Sequence, residues 1–169
     1  MARMVPRGRR TLLERGKRTF RYIYLRLIRV GGDPVHVALG FSLGVFLGVF
    51  PTFGLGIPLA ILLASLFRWN RVAATLGSLV MNPLTTPFFW SLSGSVGAAL
   101  FRADVRKVLE NARNGDRIHS LTTGAGIYLA GNLVVSLVFS VAAYFLALRA
   151  VTLYRRRKRE RRLRRRIRE

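Results

Sequence analysis

Three long stretches without a charged side chain are the feature that most limits how this chain can fold. They cover residues 34–67, 72–101 and 118–148, and they are 34, 30 and 31 residues long. A transmembrane helix needs about 20 consecutive apolar residues, so each stretch is long enough to cross a bilayer. The sequence therefore predicts an all-α integral membrane protein with short polar connections between its apolar blocks.

Basic residues are concentrated at the two ends of the chain. The 169 residues include 29 Lys or Arg and 7 Asp or Glu, which gives a formal net charge of +22. Residues 1–33 hold 10 of the basic residues, and residues 155–169 hold 11. Lys and Arg next to transmembrane segments stay on the cytoplasmic side. We therefore expect a multi-pass protein of the bacterial inner membrane, with both termini in the cytoplasm and an even number of full crossings.

The charge pattern divides the chain into three parts. These are a basic amphipathic N-terminal segment at 1–33, a membrane domain at 34–152 with apolar blocks 34–67, 72–101 and 120–152, and an Arg-rich cytoplasmic tail at 153–169. Within the first part, residues 9–30 mix basic and apolar side chains at helical spacing. This pattern is typical of a helix that lies in the headgroup layer of a membrane. The alternative is an unstructured basic lead-in.

The first apolar block is too long for one ordinary crossing. A single helix of 34 residues would measure about 51 Å, whereas the hydrocarbon layer is about 30 Å thick. Its middle, FPTFGLGIP, also contains two prolines and two glycines, which interrupt helices. We therefore predict a broken or re-entrant helical hairpin, with helices at roughly 36–50 and 57–67. Irregular backbone at that depth needs protein or a water-filled cavity around it.

Two arrangements fit the remaining blocks. In the preferred one, the hairpin returns to the cytoplasm at RWNR, residues 68–71, and the second and third blocks each cross once. The polar loop 102–119 then faces outward. In the alternative, the second block also returns as a hairpin, and the third block has to bend at about Gly131–Asn132. The two arrangements therefore differ in whether the third block is straight.

The second block is interrupted by NPLTTP, residues 82–87. Its prolines remove backbone donors and free carbonyl groups one turn earlier, and its Asn and Thr side chains can pair those groups or contact a ligand. Paired interrupted segments are typical of transporter binding sites near the membrane midplane. The candidate ligand-binding residues are Pro51, Thr52, Gly54, Asn82, Pro83 and Thr85. The alternative is a kinked helix whose Asn and Thr satisfy their own backbone.

Two further sets of residues have a predicted role in the membrane. Glycines spaced four apart form a smooth stripe on one helix face, which is typical of closely packed membrane helices. These glycines are Gly40, Gly44 and Gly48. The stripe is compatible with packing inside one chain or between the subunits of a homo-oligomer. His36, Arg68 and Arg71 are candidate contacts for lipid headgroups, because arginine binds phosphate well.

These motifs resemble a bacterial membrane family called domain of unknown function 2062. The pattern of that family is A-x-G-x-x-x-G-x-F-x-G-x-x-P, then a leucine- and alanine-rich helix ending near R-x-N, then N-P-x-T-x-P. The matching residues are Ala38, Gly40, Gly44, Phe46, Gly48, Pro51, Gly54, Arg68, Asn70, Asn82, Pro83, Thr85 and Pro87. The resemblance implies a membrane-embedded protein without an established activity. Some relatives are fused to glycosyltransferase domains, which points to envelope lipid or sugar metabolism; we recognise no such domain in this chain.

The composition argues against an enzyme. The apolar blocks contain no Asp or Glu, the chain has no cysteine, and its two histidines, His36 and His119, are far apart in sequence. Such a set cannot form a carboxylate pair or a usual zinc site within the membrane. We therefore expect no catalytic residues, no metal and no cofactor.

Binding of a lipid or small solute, or passive facilitation of its movement, is the function that the sequence favours. Carriers coupled to protons or sodium usually have an intramembrane carboxylate, which is absent here. The expected partners are membrane lipids, above all anionic phospholipids attracted by the basic ends. Arginine-rich ends also bind nucleic acid without sequence choice, but beside a membrane lipid is the simpler partner. The alternative function is a scaffold or assembly partner that packs through the glycine stripe, without transport.

Overall fold

The computed structural model describes residues 12–52, 54–102 and 117–166, and all regular structure within them is helical. The helices are α1 (Leu12–Arg29), α2 (Pro34–Val49), α3 (Gly56–Leu66), α4 (Arg71–Ser78), α5 (Thr86–Leu100) and α6 (Arg117–Arg166). The all-α prediction is therefore confirmed for the described part of the chain. Most of the predicted polar loop 102–119 lies outside the described residues, as does the beginning of the predicted amphipathic segment.

α2 and α3 are the predicted pair of short helices. α2 begins at Pro34, whose fixed φ suits a first helical position. The Asp33 carboxylate caps it by accepting hydrogen bonds from two backbone N–H groups of the first turn. The helix ends at Val49, two residues before Pro51. Gly54 then takes a positive φ of 89°, which favours glycine, and α3 runs back along α2.

Asn70 joins the end of this hairpin to its beginning. Its backbone N–H donates to the His36 carbonyl at 3.1 Å, and its side-chain amide donates to the Gly31 carbonyl at 3.1 Å. Its side-chain oxygen accepts from the Ala73 N–H at 2.9 Å and caps α4. The RWNR turn therefore lies beside the start of α2, as the predicted return requires.

α4 runs parallel to α2, and glycines allow the two helices to approach closely. A Cβ atom at Gly40 or Gly44 would lie under 3.0 Å from the backbone of Asn70 or Ala74, a distance that real Cβ atoms essentially never show. From the other side, Gly77 of α4 is equally close to the backbone of α2. The glycine stripe therefore packs against α4 of the same chain.

α5 and α6 are antiparallel and are also in contact through glycines. Gly97 of α5 packs against the backbone of Ile127, and Gly131 of α6 packs against the backbone of Ser93. α6 is 50 residues long, which corresponds to about 75 Å. It continues as one helix through Gly131 and Asn132, so the helix is not broken where the alternative arrangement would have the third block turn.

α1 packs on the arginine-bearing part of α6, near the start of α2. Ile23 and Leu27 are buried in a cluster with Val151. The Arg155 guanidinium donates to the Val30 carbonyl at 3.0 Å, just after α1 ends. We call this end of the bundle the basic end. It contains α1, the start of α2, the α3–α4 turn and the arginines of α6.

Within the described residues, one helix is long and apolar enough by length and composition to cross a membrane. It is the segment Thr122–Arg161 of α6, which contains an apolar window of 18 residues with a mean hydropathy of 2.1. Only 28% of its apolar window is buried, so most of that window faces away from the bundle. α2 and α3 are apolar but shorter. These features are consistent with the predicted membrane location.

Candidate functional site

α2 and α4 end at the same level of the bundle, and the two helix breaks that follow them meet there. The first break consists of the described residues 50–52, 54 and 55, and the second break is residues 79–85. Between the breaks and α6 lies a cavity of 620 Å³, which we call the break groove. Residues of both breaks line it, together with Trp90 of α5 and Tyr128 of α6. The two interrupted segments therefore share one cavity.

The first break is held by hydrogen bonds to the end of α2 and by hydrogen bonds within the break itself. The Thr52 hydroxyl donates to the Leu47 carbonyl at 3.3 Å, and the Leu55 N–H donates to the Thr52 carbonyl at 2.9 Å. A Cβ atom at Gly56 would come within 2.9 Å of both the Leu47 carbonyl oxygen and Thr52 Oγ1. The sequence GLG thus lets the chain turn close to α2 and form one wall of the break groove.

Asn82 and Thr85 close the second break by bonding to their own turn. Asn82 Oδ1 accepts from the N–H groups of Leu84 and Thr85 at 2.9 and 3.3 Å. The Thr85 hydroxyl donates to the Val80 carbonyl at 2.8 Å and accepts from the Asn82 N–H at 3.0 Å. The Thr86 hydroxyl donates to the Asn82 carbonyl at 2.8 Å. This pattern agrees with the alternative in which the polar side chains of NPLTTP satisfy their own backbone.

The predicted ligand-binding residues do not all lie at the same place. Those that line the break groove are Pro51, Thr52 and Gly54. Thr85 lines a different cavity, and Asn82 and Pro83 are not among the lining residues of either cavity. The part of NPLTTP that reaches the break groove is Thr86. A direct contact of Asn82 with a ligand stays a prediction.

A row of polar residues on α6 is a feature that the sequence reasoning missed. Tyr128, Asn132, Ser136 and Ser140 follow one another every four residues and therefore share one face of the helix. Asn132 and Ser136 are fully buried, and Ser140 forms a 3.1 Å hydrogen bond with Ser42 of α2. The spacing of four polar residues within an apolar block was the signal that could have identified them.

Asn132 connects this row to α2 and α5. Its Nδ2 donates to the Val49 carbonyl at 3.2 Å and to Ser93 Oγ at 3.1 Å. Tyr128, which lines the break groove, interacts with the same side chain. Among the described residues, no group donates to Asn132 Oδ1. Buried polar atoms normally have a partner. Asn132 Oδ1 is therefore an unused hydrogen-bond acceptor beside Val49 and Tyr128, which line the break groove.

The predicted headgroup contacts lie at the basic end rather than at the break groove. His36 Nδ1 lies 3.2 Å from Asp33 Oδ2, and about half of each side chain is exposed. Arg68 and Arg71 are exposed on the α3–α4 turn. From His36 to Val49, at the other end of α2, the distance along the helix is about 20 Å. These residues therefore form no common site with the break groove.

A second cavity of 680 Å³ opens between α1, α2, α5 and α6, and we call it the lateral groove. At the basic end it is lined by Ile23, Tyr24 and Leu27 of α1, and at the other end by Thr85 and Phe88. The rest of its lining is apolar. The lateral groove therefore offers a long apolar surface and few hydrogen-bonding groups.

Residues 17–160 match the model of a bacterial family described as "Uncharacterized protein conserved in bacteria (DUF2062)". The match includes both helix breaks, the glycine stripe and most of α6. The resemblance inferred from the sequence motifs is confirmed. No curated protein and no solved structure matches the chain.

Proposed function

This chain belongs to the bacterial DUF2062 family, and we propose that it is a multi-pass inner-membrane protein that binds a lipid or small solute in the break groove. The observation that carries the proposal is that both helix breaks line one cavity of 620 Å³. Small-molecule sites typically measure about 300–1,000 Å³ and have apolar walls with a few polar groups. Thr52, Thr86 and Tyr128 supply such polar groups.

The chemistry of the lining favours an amphiphilic ligand. Met81, Trp90 and Leu129 provide apolar surface, whereas the unwound backbone and Tyr128 provide hydrogen-bonding groups. None of the described lining residues is charged. A ligand with an apolar body and a hydroxyl or amide group therefore fits better than a charged solute. A lipid from the surrounding bilayer is the simplest ligand of that kind.

Large apolar side chains on the outside of the bundle support the membrane part of the proposal. Leu66 is 71% exposed, Leu146 is 70% exposed and Trp90 is 61% exposed. Soluble monomers rarely expose extended apolar surface, whereas lipid tails would cover it. With both basic ends in the cytoplasm, α2 and α3 form a re-entrant hairpin, α4 and α5 together cross outward, and α6 returns.

Single-cysteine variants test this topology, because the chain contains no cysteine of its own. We expect Arg102→Cys to react with a membrane-impermeant maleimide in intact spheroplasts. Arg71→Cys and Lys158→Cys should react only after the membrane is permeabilised. Labelling of Arg71→Cys from outside would mean that the first block crosses the membrane, and the hairpin would be wrong. The cysteine-free parent protein is the control.

Native mass spectrometry with lipidomics on gently purified protein tests the ligand site. Ala125 lines the break groove, so Ala125→Trp fills it. Val138 is 60% exposed on the same helix and lines neither groove, so Val138→Trp is the matched control. We expect a specific lipid or solute to copurify with the wild type and the control and to be lost from Ala125→Trp. Equal, nonselective lipid in all three proteins would refute the break-groove site.

The alternative scaffold function now has less support. The glycine stripe that suggested it is packed against α4, so a scaffold would have to use the exposed apolar faces of α5 and α6. The same mass spectra report the subunit number. A defined oligomer that carries no selective ligand would favour the scaffold over the lipid-binding protein.

A further inference from the structure

We propose that the lateral groove holds one acyl chain of an anionic phospholipid from the cytoplasmic leaflet, and that arginines of the basic end bind its phosphate. This inference rests on the membrane location proposed above, but it does not depend on a ligand in the break groove. It gives the basic α1 helix a specific role as one wall of a lipid site.

The dimensions of the lateral groove suit an acyl chain. Small side chains on α6, among them Ala142, Ala143 and Ala147, open the space. From Phe139 to Ala150, the lining extends about 17 Å along the helix at 1.5 Å per residue. One leaflet provides about half of the roughly 30 Å of hydrocarbon thickness, which is about 15 Å. The groove is therefore as long as one leaflet is deep.

The lining of the groove suits a hydrocarbon chain. One side of the groove is already covered by α1, through Ile23, Tyr24 and Leu27. Apart from Tyr24 and Thr85, the lining residues are apolar, and an acyl chain needs no hydrogen-bond partner there.

Two arginines are close in sequence to residues that line the groove. Arg149 directly precedes Ala150 of the lining, and Arg21 lies two residues before Ile23 of the lining. Both side chains are exposed. Among the described side chains, Arg156 is the one arginine in an ion pair, so the charges of Arg149 and Arg21 are available to an external anion. Guanidinium groups bind phosphate through paired N–H donors.

The helices that carry these arginines are packed on each other. Arg155 of α6 donates to the Val30 carbonyl at 3.0 Å, and Ile23 and Leu27 are buried together with Val151. A lipid whose chain lies between α1 and α6 therefore brings its phosphate beside the arginines of both helices. The excess of positive charge there favours an anionic headgroup over a zwitterionic one.

Competition between two defined lipids tests the proposal. Delipidated protein in neutral detergent is mixed with equal amounts of phosphatidylglycerol and phosphatidylcholine and examined by native mass spectrometry. We expect one phosphatidylglycerol to be retained in preference to phosphatidylcholine. Ala142→Trp, which fills the groove, should remove this bound lipid, whereas Val138→Trp on the exposed face of the same helix should keep it.

Charge variants separate the headgroup contact from the chain contact. Arg149→Gln should weaken phosphatidylglycerol binding about fivefold. It should weaken phosphatidylcholine binding less, because the choline group already offsets the charge of that phosphate. Arg157→Gln, at an exposed position further along the tail, should weaken phosphatidylglycerol binding less, because it lies two turns beyond the groove. Far-UV circular dichroism checks that each variant is folded. If Ala142→Trp does not fold, Ala150→Phe serves as a second variant that fills the groove.

Three results would overturn the inference. Retention of the lipid by both filling variants would place it elsewhere, and equal binding of the two lipids by the wild type would remove the role of the arginines. Loss of a dimer together with the lipid in Ala142→Trp would show that a second copy of the chain covers the groove. Ala125→Trp, which fills the break groove, should leave this lipid bound, so failure of the two proposals is distinguishable.

Discussion

Replacing Gly44 by alanine should separate α2 from α4, because the added methyl group has no room. Its Cβ would lie 2.8 Å from the carbonyl carbon of Ala74 and 2.9 Å from the amide nitrogen of Ser78, and closer still to the Ala74 carbonyl oxygen. All of these are backbone atoms of a helix, so no side-chain rotation can relieve the contact. The whole of α4 has to move away from α2.

The expected loss of stability follows from this geometry. Overpacking in a well-packed interior typically costs about 1–3 kcal/mol, and a clash with backbone belongs at the upper end, so we expect Gly44→Ala to lower the free energy of unfolding by about 3 kcal/mol. Gly48→Ala should cost less, because its nearest neighbour, the Ser78 carbonyl oxygen, is 3.0 Å away. Gly94→Ala is the matched control. It has no atom within 4 Å, and alanine in a helix gains about 0.5–1 kcal/mol over glycine.

Unfolding in mixed detergent micelles, followed by far-UV circular dichroism, measures these differences. The predicted order of stability is Gly94→Ala above wild type, then Gly48→Ala, then Gly44→Ala. Equal stability of Gly44→Ala and Gly94→Ala would refute the close approach of α2 and α4. A change in the number of subunits in the complex, without a change in stability, would instead place the stripe at an interface between chains.

Two further predictions concern polar side chains that join helices. Asn70→Ala should lower the free energy of unfolding by about 2 kcal/mol in the same assay, since it loses the cap of α4, worth about 1 kcal/mol, and the hydrogen bond to Gly31, worth about 1 kcal/mol. Asn132→Ala should cost about 1–2 kcal/mol, because it leaves a buried carbonyl and hydroxyl without their donor. Ser91→Ala is the control for both, since its hydroxyl bonds only its own helix at an exposed position; an equal effect at Ser91 would contradict either prediction.

The helix breaks could be predicted from the sequence because their causes are local. Proline removes a backbone donor wherever it stands, and glycine allows the positive φ that Gly54 adopts. The predicted helices at 36–50 and 57–67 therefore agree with α2 and α3 within two residues. The first block, taken as one helix, is longer than the membrane is thick, and this comparison was sufficient to predict that the block turns back.

The groups that the predicted residues contact could not be predicted from the sequence in the same way. The glycine stripe has the same pattern whether it packs within a chain or between chains, and only the folded hairpin places α4 against it. An amide such as Asn82 can bond a ligand or its own turn, and the structure shows the bonds to the turn. The buried role of Asn132 depends on Ser93, 39 residues earlier, which spacing alone does not reveal.

Neighbouring residues of the second break and the start of α5 face different grooves. Val80 and Thr85 line the lateral groove, whereas Met81 and Thr86 line the break groove. The second break is therefore the shared wall of the two cavities. Asn82 holds that wall in place through its bonds within the turn. A lipid in one groove and a ligand in the other would thus be separated by one turn of backbone.

Asn82→Ala tests whether this wall couples the grooves. The substitution removes the acceptor for the N–H groups of Leu84 and Thr85, which should cost about 1–2 kcal/mol of stability and weaken binding in both grooves. Native mass spectra with phosphatidylglycerol and with the copurified ligand measure the two effects in one sample. If Asn82 instead contacts a ligand directly, only the break-groove ligand should be lost, while the phosphatidylglycerol stays bound. That outcome would show that the polar atoms of NPLTTP bind the ligand themselves, and the shared-wall interpretation would be wrong.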